Sequence, residues 1–138
     1  MQTLTLAQSN PLSQYRWKNR PLLVFAEDAD DRNTQETREA LRASACELTD
    51  RDMVIGWILE RGESRLGATP IDSRTANALR SHLQVREGNF AAVLVGKDGG
   101  VKARYAKAPN LEEVFSLIDG MPMRRSEMRE RGLNCDTN

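Results

Sequence analysis

Four carboxylates, Glu27, Asp28, Asp30 and Asp31, and then Arg32, stand directly after the apolar run Leu22–Ala26 in the stretch LLVFAEDADDR. Three kinds of chemistry suit them. Asp28, Asp30 and Asp31, at near-alternate positions in a loop, could converge on a hard cation, so Ca2+ or Mg2+ is the cofactor the cluster would take. The spacing does not make an EF-hand, which needs a loop of about twelve residues ending in glutamate. Alternatively, Asp30 or Asp31 caps a helix that begins here, with the remaining acids favouring the positive end of its dipole. The third possibility is a binding surface, Glu27 to Arg32, for a basic partner.

Other reactive side chains are sparse. Cys46 and Cys135 are too few and too far apart for a disulfide scaffold or a zinc site. Cys46 falls late in a helical pattern, where a lone cysteine is expected to act as a small buried hydrophobe. Its redox alternative, a peroxidatic or sensor thiol at Cys46, is disfavoured because a helix C-terminus is the wrong pole for a thiolate. Cys135 lies in the polar tail NCDTN and is expected to be incidental, although a Cys46–Cys135 disulfide stays open. His82 has no evident partner to make it a base or ligand. No serine has a nucleophile-elbow setting, and GKDGG joins strand to strand and so is no phosphate loop.

The elements that must position these groups read in a clear order. Leu22–Ala26 is a strand buried on both faces. Gln35–Leu48 carries Leu41, Ala45 and Leu48 at helical spacing, and Met53–Leu59 is a second buried strand. The glycine-rich connection RGESRLGATP leads to a helix capped by Asp72, with Ala76, Leu79 and Leu83 on one face. Ala91–Val95 and the alternating Val101–Tyr105 form a hairpin about the KDGG turn. Asn110, with Glu113 three residues on, reads as a capping box opening a helix whose apolar face is Leu111, Val114, Phe115 and Ile118. Gly120 and Pro122 end it, and MRRSEMRER adds one or two further helical turns. Right-handed crossovers make the first two strands parallel neighbours. The prediction is an α/β, thioredoxin-like fold: a four-stranded mixed sheet of order 2-1-3-4, with helices on both faces. It predicts one domain over 11–131, with tails at 1–10 and 132–138.

Composition narrows the function classes. Twenty basic and twenty acidic residues cancel in a chain of 138, so no global field draws in nucleic acid or an anionic membrane. YRWKNR and MRRSEMRER are locally basic, but Trp17 is expected to pack in the core rather than to serve as a stacking platform. The C-terminal arginines could pair with the carboxylates around them or with the acidic loop. The longest apolar stretches, about seven residues, are far short of the ~20 that span a bilayer. Residues 1–9 lack the basic start and long apolar run of a signal peptide, so export would require that a signal has been removed.

NPLSQYRWKNRPLLVFA, LVGKDGGVK and LIDGMPMRRSEM resemble the bacterial family called domain of unknown function 4174, over roughly Pro11 to Met128. That family is similar to thioredoxins and peroxiredoxins and recurs in animal sushi-repeat-containing extracellular proteins. The resemblance implies a thioredoxin-like fold and a periplasmic or secreted location, with the cytoplasm as the alternative. Thioredoxin-like enzymes keep their reactive cysteine just after the first core strand, at a helix N-terminus that lowers its pKa. Here that place holds Glu27 to Asn33, without a cysteine. The peroxiredoxin threonine that precedes the cysteine is missing too, and so is the cis-proline, which would fall close to Ala91. The expectation is a non-catalytic binding or structural module with a protein partner. The alternatives are a divergent oxidoreductase using Cys46 and a calcium- or magnesium-binding module.

Overall fold

A computed structural model describes residues 10–132 and Cys135. The expected tails at 1–10 and 132–138, apart from Asn10, Gly132 and Cys135, lie outside the described residues. After a short 3-10 turn at Ser13–Tyr15, the elements are β1 (Arg20–Ala26), α1 (Arg32–Ala43), α2 (Ala45–Asp50), β2 (Met53–Leu59), β3 (Ser64–Leu66), β4 (Thr69–Ile71), α3 (Ser73–Leu83), β5 (Ala91–Val95), β6 (Val101–Tyr105), α4 (Leu111–Asp119) and α5 (Pro122–Arg131).

The sheet has six strands in the order β4-β3-β2-β1-β5-β6, not four. The four expected strands stand side by side in the expected order with β6 at one edge of the sheet, β1 being parallel to β2 and antiparallel to β5. The two additional strands fold the glycine-rich connection into a hairpin against β2. Each is only three residues long, too short to show an alternation in sequence. Gly67 makes their two-residue turn possible, at φ +64, where a side chain would also press within 3.2 Å of Val54. Gly56 pairs with Leu66 across the same junction, and a Cβ there would sit 2.9 Å from Leu23. Glycine in mid-strand therefore buys a close approach of β3 to the core.

All seven residues of β1 are buried. Leu23 and Phe25 enter a cluster with Ala76, Leu79 and Leu83 of α3. Leu22 faces the other way, among Leu41 of α1 and Leu111, Val114 and Ile118 of α4. Helices thus cover both faces, as a sheet with two apolar sides requires. Asp72 caps α3 by accepting from the Thr75 N–H. The Asn110 side chain caps α4 through the Glu112 N–H, one position short of the bond a capping box makes to Glu113.

Two local expectations are corrected. The helix over 35–48 is two helices broken at Ser44, a weak helix former whose backbone leaves helical geometry. Trp17 is not core: it is 56% exposed.

Charge, rather than apolar burial, seats α5. Arg124 is fully buried. It donates to the Asp50 carboxylate and backbone carbonyl, both at 2.8 Å, and to Asp119 at 2.9 Å. One turn on, Glu127 accepts a two-pronged bond from buried Arg20, 3.1 Å on each prong, and another from Lys97 at 2.6 Å. Asp52 takes Lys97 and Arg131, and Arg51 grips Asp119. The C-terminal arginines therefore find carboxylates at this end of the sheet. Burial pushes the Asp119, Glu127 and Asp52 carboxyls up, but bonds from Arg51 and Arg124, from Arg20 and Lys97, and from Lys97 and Arg131 leave all three below their ordinary values.

Removing one member of a buried ion pair strands its partner. Arg124→Met is therefore expected to lower stability in urea unfolding by about 3–5 kcal/mol. The carboxylates of this network have depressed folded-state pKa values. Their contribution is present above the unfolded values of 3.8 and 4.5 and is lost as pH falls below them. The urea midpoint should stay level near neutrality and drop on acidification through that window, less steeply in Glu127→Gln.

Candidate functional site

The hydrogen-bond ladder between β1 and β2 runs one residue past the end of β1 and two past the end of β2. Ala26 and Glu27 carbonyls accept from the Glu60 and Arg61 N–H groups, at 3.0 and 2.7 Å. That ladder sets Arg61 beside the acidic loop, a neighbour the linear sequence did not reveal. Arg61 donates to Asp28 at 2.8 Å and lies 3.6 Å from Glu27. The other Asp28 oxygen accepts from the Asp30 and Asp31 N–H groups, at 3.0 and 3.1 Å, closing the loop on itself. The Arg61 hydrogen bond, together with those two backbone N–H groups, holds the Asp28 carboxyl below its ordinary value despite some desolvation. Asp31 caps α1 by accepting from the Thr34 N–H at 3.2 Å.

The five candidate residues are adjacent, but they do different jobs. Glu27 and Asp28 share Arg61, Asp31 caps, and Arg32 reaches along α1 to Glu36 at 3.2 Å. Asp30 is exposed, and its carboxylate has no ion pair among the described residues. No group of three or more His, Cys, Asp or Glu placed to hold a metal ion occurs among the described residues, the set Asp28, Asp30 and Asp31 included.

The thiols are elsewhere and are joined to each other. Cys46 and Cys135 form a disulfide with Cα atoms 5.8 Å apart across 89 residues of sequence. Cys46 is neither a buried hydrophobe nor at a helix C-terminus: it is exposed, in the first turn of α2. Cys135 is not incidental, because it ties the chain beyond α5 back to that helix. Sequence showed two cysteines but not the fold that brings them together. His82 is exposed near the end of α3, with no hydrogen bond or ion pair among the described residues. The described residues contain no cis peptide bond, so the peptide before Ala91 is trans. The loop after β1 thus presents carboxylates and no cysteine.

Loss of the cap should be measurable apart from loss of surface charge. Asp31→Ala is expected to cost about 1 kcal/mol in urea unfolding, and Asp30→Ala to stay within about 0.5 kcal/mol of the parent. Arg61→Ala should raise the Asp28 pKa toward its ordinary value, as followed by carboxyl 13C shifts.

The comparisons with known proteins agree with this geometry. Coiled-coil domain-containing protein 80 from Danio rerio is 28% identical over 91% of this chain and 17% of its own length. Sushi repeat-containing protein SRPX2 from Homo sapiens is 27% identical over 87% of this chain and 26% of its own length. This chain therefore spans less than a third of those relatives. A reduced 2-Cys peroxiredoxin from Plasmodium vivax superposes with a TM-score of 0.57 over 83% of this chain and 84% of that one, at 14% identity. AhpC from Mycobacterium tuberculosis gives a TM-score of 0.55 at 15% identity, over 89% of this chain and 75% of that one. At such identities these two structures establish a shared thioredoxin- and peroxiredoxin-like fold and nothing more. The family described as domain of unknown function (DUF4174) matches residues 11–127, and the chain belongs to that family.

Proposed function

We propose that this domain is a thiol-independent binding or structural module built on a thioredoxin-like scaffold. The observation that carries this reading is the β1–α1 loop. At the place of the reactive thiol, Asp28 is locked to Arg61 and to its own backbone, while both cysteines are committed to each other elsewhere. The exposed residues Glu27, Asp30 and Arg32 are its candidate contact surface for a protein partner. An exposed disulfide suits an oxidising compartment, which supports a periplasmic or secreted location.

One observation favours a redox reading. Cys46 is exposed in the first turn of α2, so the objection that a helix C-terminus is the wrong pole for a thiolate does not apply to it.

A single variant separates the readings. Cys46→Ser is expected to lower stability by about 2–4 kcal/mol through loss of the long cross-link. Dithiothreitol-driven peroxide consumption and insulin reduction should be equally slow in parent and variant. Turnover well above background that disappears in Cys46→Ser would overturn the binding-module reading and install the oxidoreductase.

A further inference from the structure

Trp17 is held in a conformation that bulky residues rarely adopt. Its φ is +70, and its N–H is bonded to the Lys97 carbonyl at 2.6 Å. The exposed ring forms one wall of an open pocket of about 290 Å³, and Met121, Pro122 and Met123 at the α4–α5 junction form another. Trp17 and Met123 are two of four large apolar side chains exposed among the described residues. The three stretches that carry the family resemblance, far apart in sequence, converge here: the first brings Trp17, the second Lys97 and Lys102, the third Met121 to Met123.

The charges around these apolar walls are mostly of one sign. The Arg16 guanidinium lies 5.3 Å from the Trp17 ring centroid. Arg16 and Lys18 are exposed and have no ion pair among the described residues. Lys102 stands at the pocket beside Asp98, which it pairs with at 2.9 Å. Arg20 and Lys97 also line the pocket but are paired with Glu127 and Asp52, so Arg16 and Lys102 against Asp98 leave the rim electropositive in a chain whose net charge is zero. A single exposed ring on a neutral chain is a poor platform for successive bases.

We propose that this pocket docks an extended acidic segment of a protein partner. One aromatic or aliphatic side chain seats against Trp17 and Met123, and flanking Asp or Glu residues pair with Arg16 and Lys102. The proposal rests on the binding-module reading but uses the pole opposite the acidic loop.

The test is to pan short random peptides displayed on phage against the full, disulfide-intact chain. Selected peptides, fluorescein-labelled, are then titrated against parent and variants by fluorescence anisotropy. Enrichment of an apolar residue flanked by Asp or Glu is expected. Binding should weaken by roughly tenfold or more in Trp17→Gly, weaken several-fold in Lys102→Glu, and hold in Asp30→Asn. Glycine accepts the φ at position 17, so Trp17→Gly should melt no lower than the parent, which separates loss of the wall from loss of the fold. No acidic enrichment, or binding that survives Trp17→Gly, would overturn the proposal. Tighter binding of oligothymidylate, lost in the same variant, would overturn it in favour of nucleic acid. Thiol turnover alone decides the reading on which it rests, so the two failures are distinguishable.

Discussion

The seat of α5 depends on a guanidinium with no access to water. Arg124 must meet a carboxylate wherever it is buried, and the carboxylates it meets belong to α2 and to the end of α4. Glu127, on the same helix, repeats the pattern with Arg20 at the start of β1 and Lys97 at the end of β5. These charges therefore tie the last helix to both halves of the sheet. The network is not fully satisfied: Arg20 Nε and one Asp50 oxygen have no hydrogen-bond partner among the described residues. Desolvation offsets much of the Coulomb gain in such a cluster, so its main effect is to fix where α5 sits. An apolar helix could shift by a turn on an apolar surface; this one is held by paired forks.

The two ends of β1 are consequently built on different principles. At its C-terminal end the Glu27–Asp31 loop is local, supported by the extended β1–β2 ladder, the Asp28 turn and the Asp31 cap. At its N-terminal end the ion-pair network joins residues far apart in sequence, near 20, 50, 97 and 124. The loop after β1 is thus closed by its own side chains. An open apolar pocket, by contrast, lies at the pole that ion pairs assemble.

What could be read from sequence follows the same division. β1, β2 and β5 announce themselves as continuous apolar runs, β6 by alternation, and α3 by its Asp72 cap, because each is specified by neighbouring residues. The β3–β4 hairpin could not be seen: of its six residues, only Ser64 and Leu66 are buried. The break at Ser44 had a signal, a weak helix former amid good ones, which the hydrophobic spacing overrode. The acidic loop was legible as a cap. Its arginine was not, because Arg61 arrives only through the strand ladder. Trp17 was misjudged because an aromatic beside a buried strand usually faces inward, and nothing local marks a positive φ. The charge network and the disulfide share one reason for being hidden: each joins residues whose proximity only the fold creates.

The disulfide and the ion pairs also join the same two elements. Cys135 returns the chain beyond α5 to Cys46 on α2, and Arg124 of α5 binds Asp50 at the far end of α2. The covalent link shortens the distance α5 can stray, which raises the effective concentration of Arg124 at Asp50. Met121 to Met123 lead into α5, so the wall opposite Trp17 is placed by the same pair of constraints. Loosening either one moves that wall before it disturbs the central strands, whose cores pack against α1, α3 and α4 rather than α5. The disulfide of this thioredoxin-like domain thus bears on where α5, and the Met121 to Met123 surface at its start, sit.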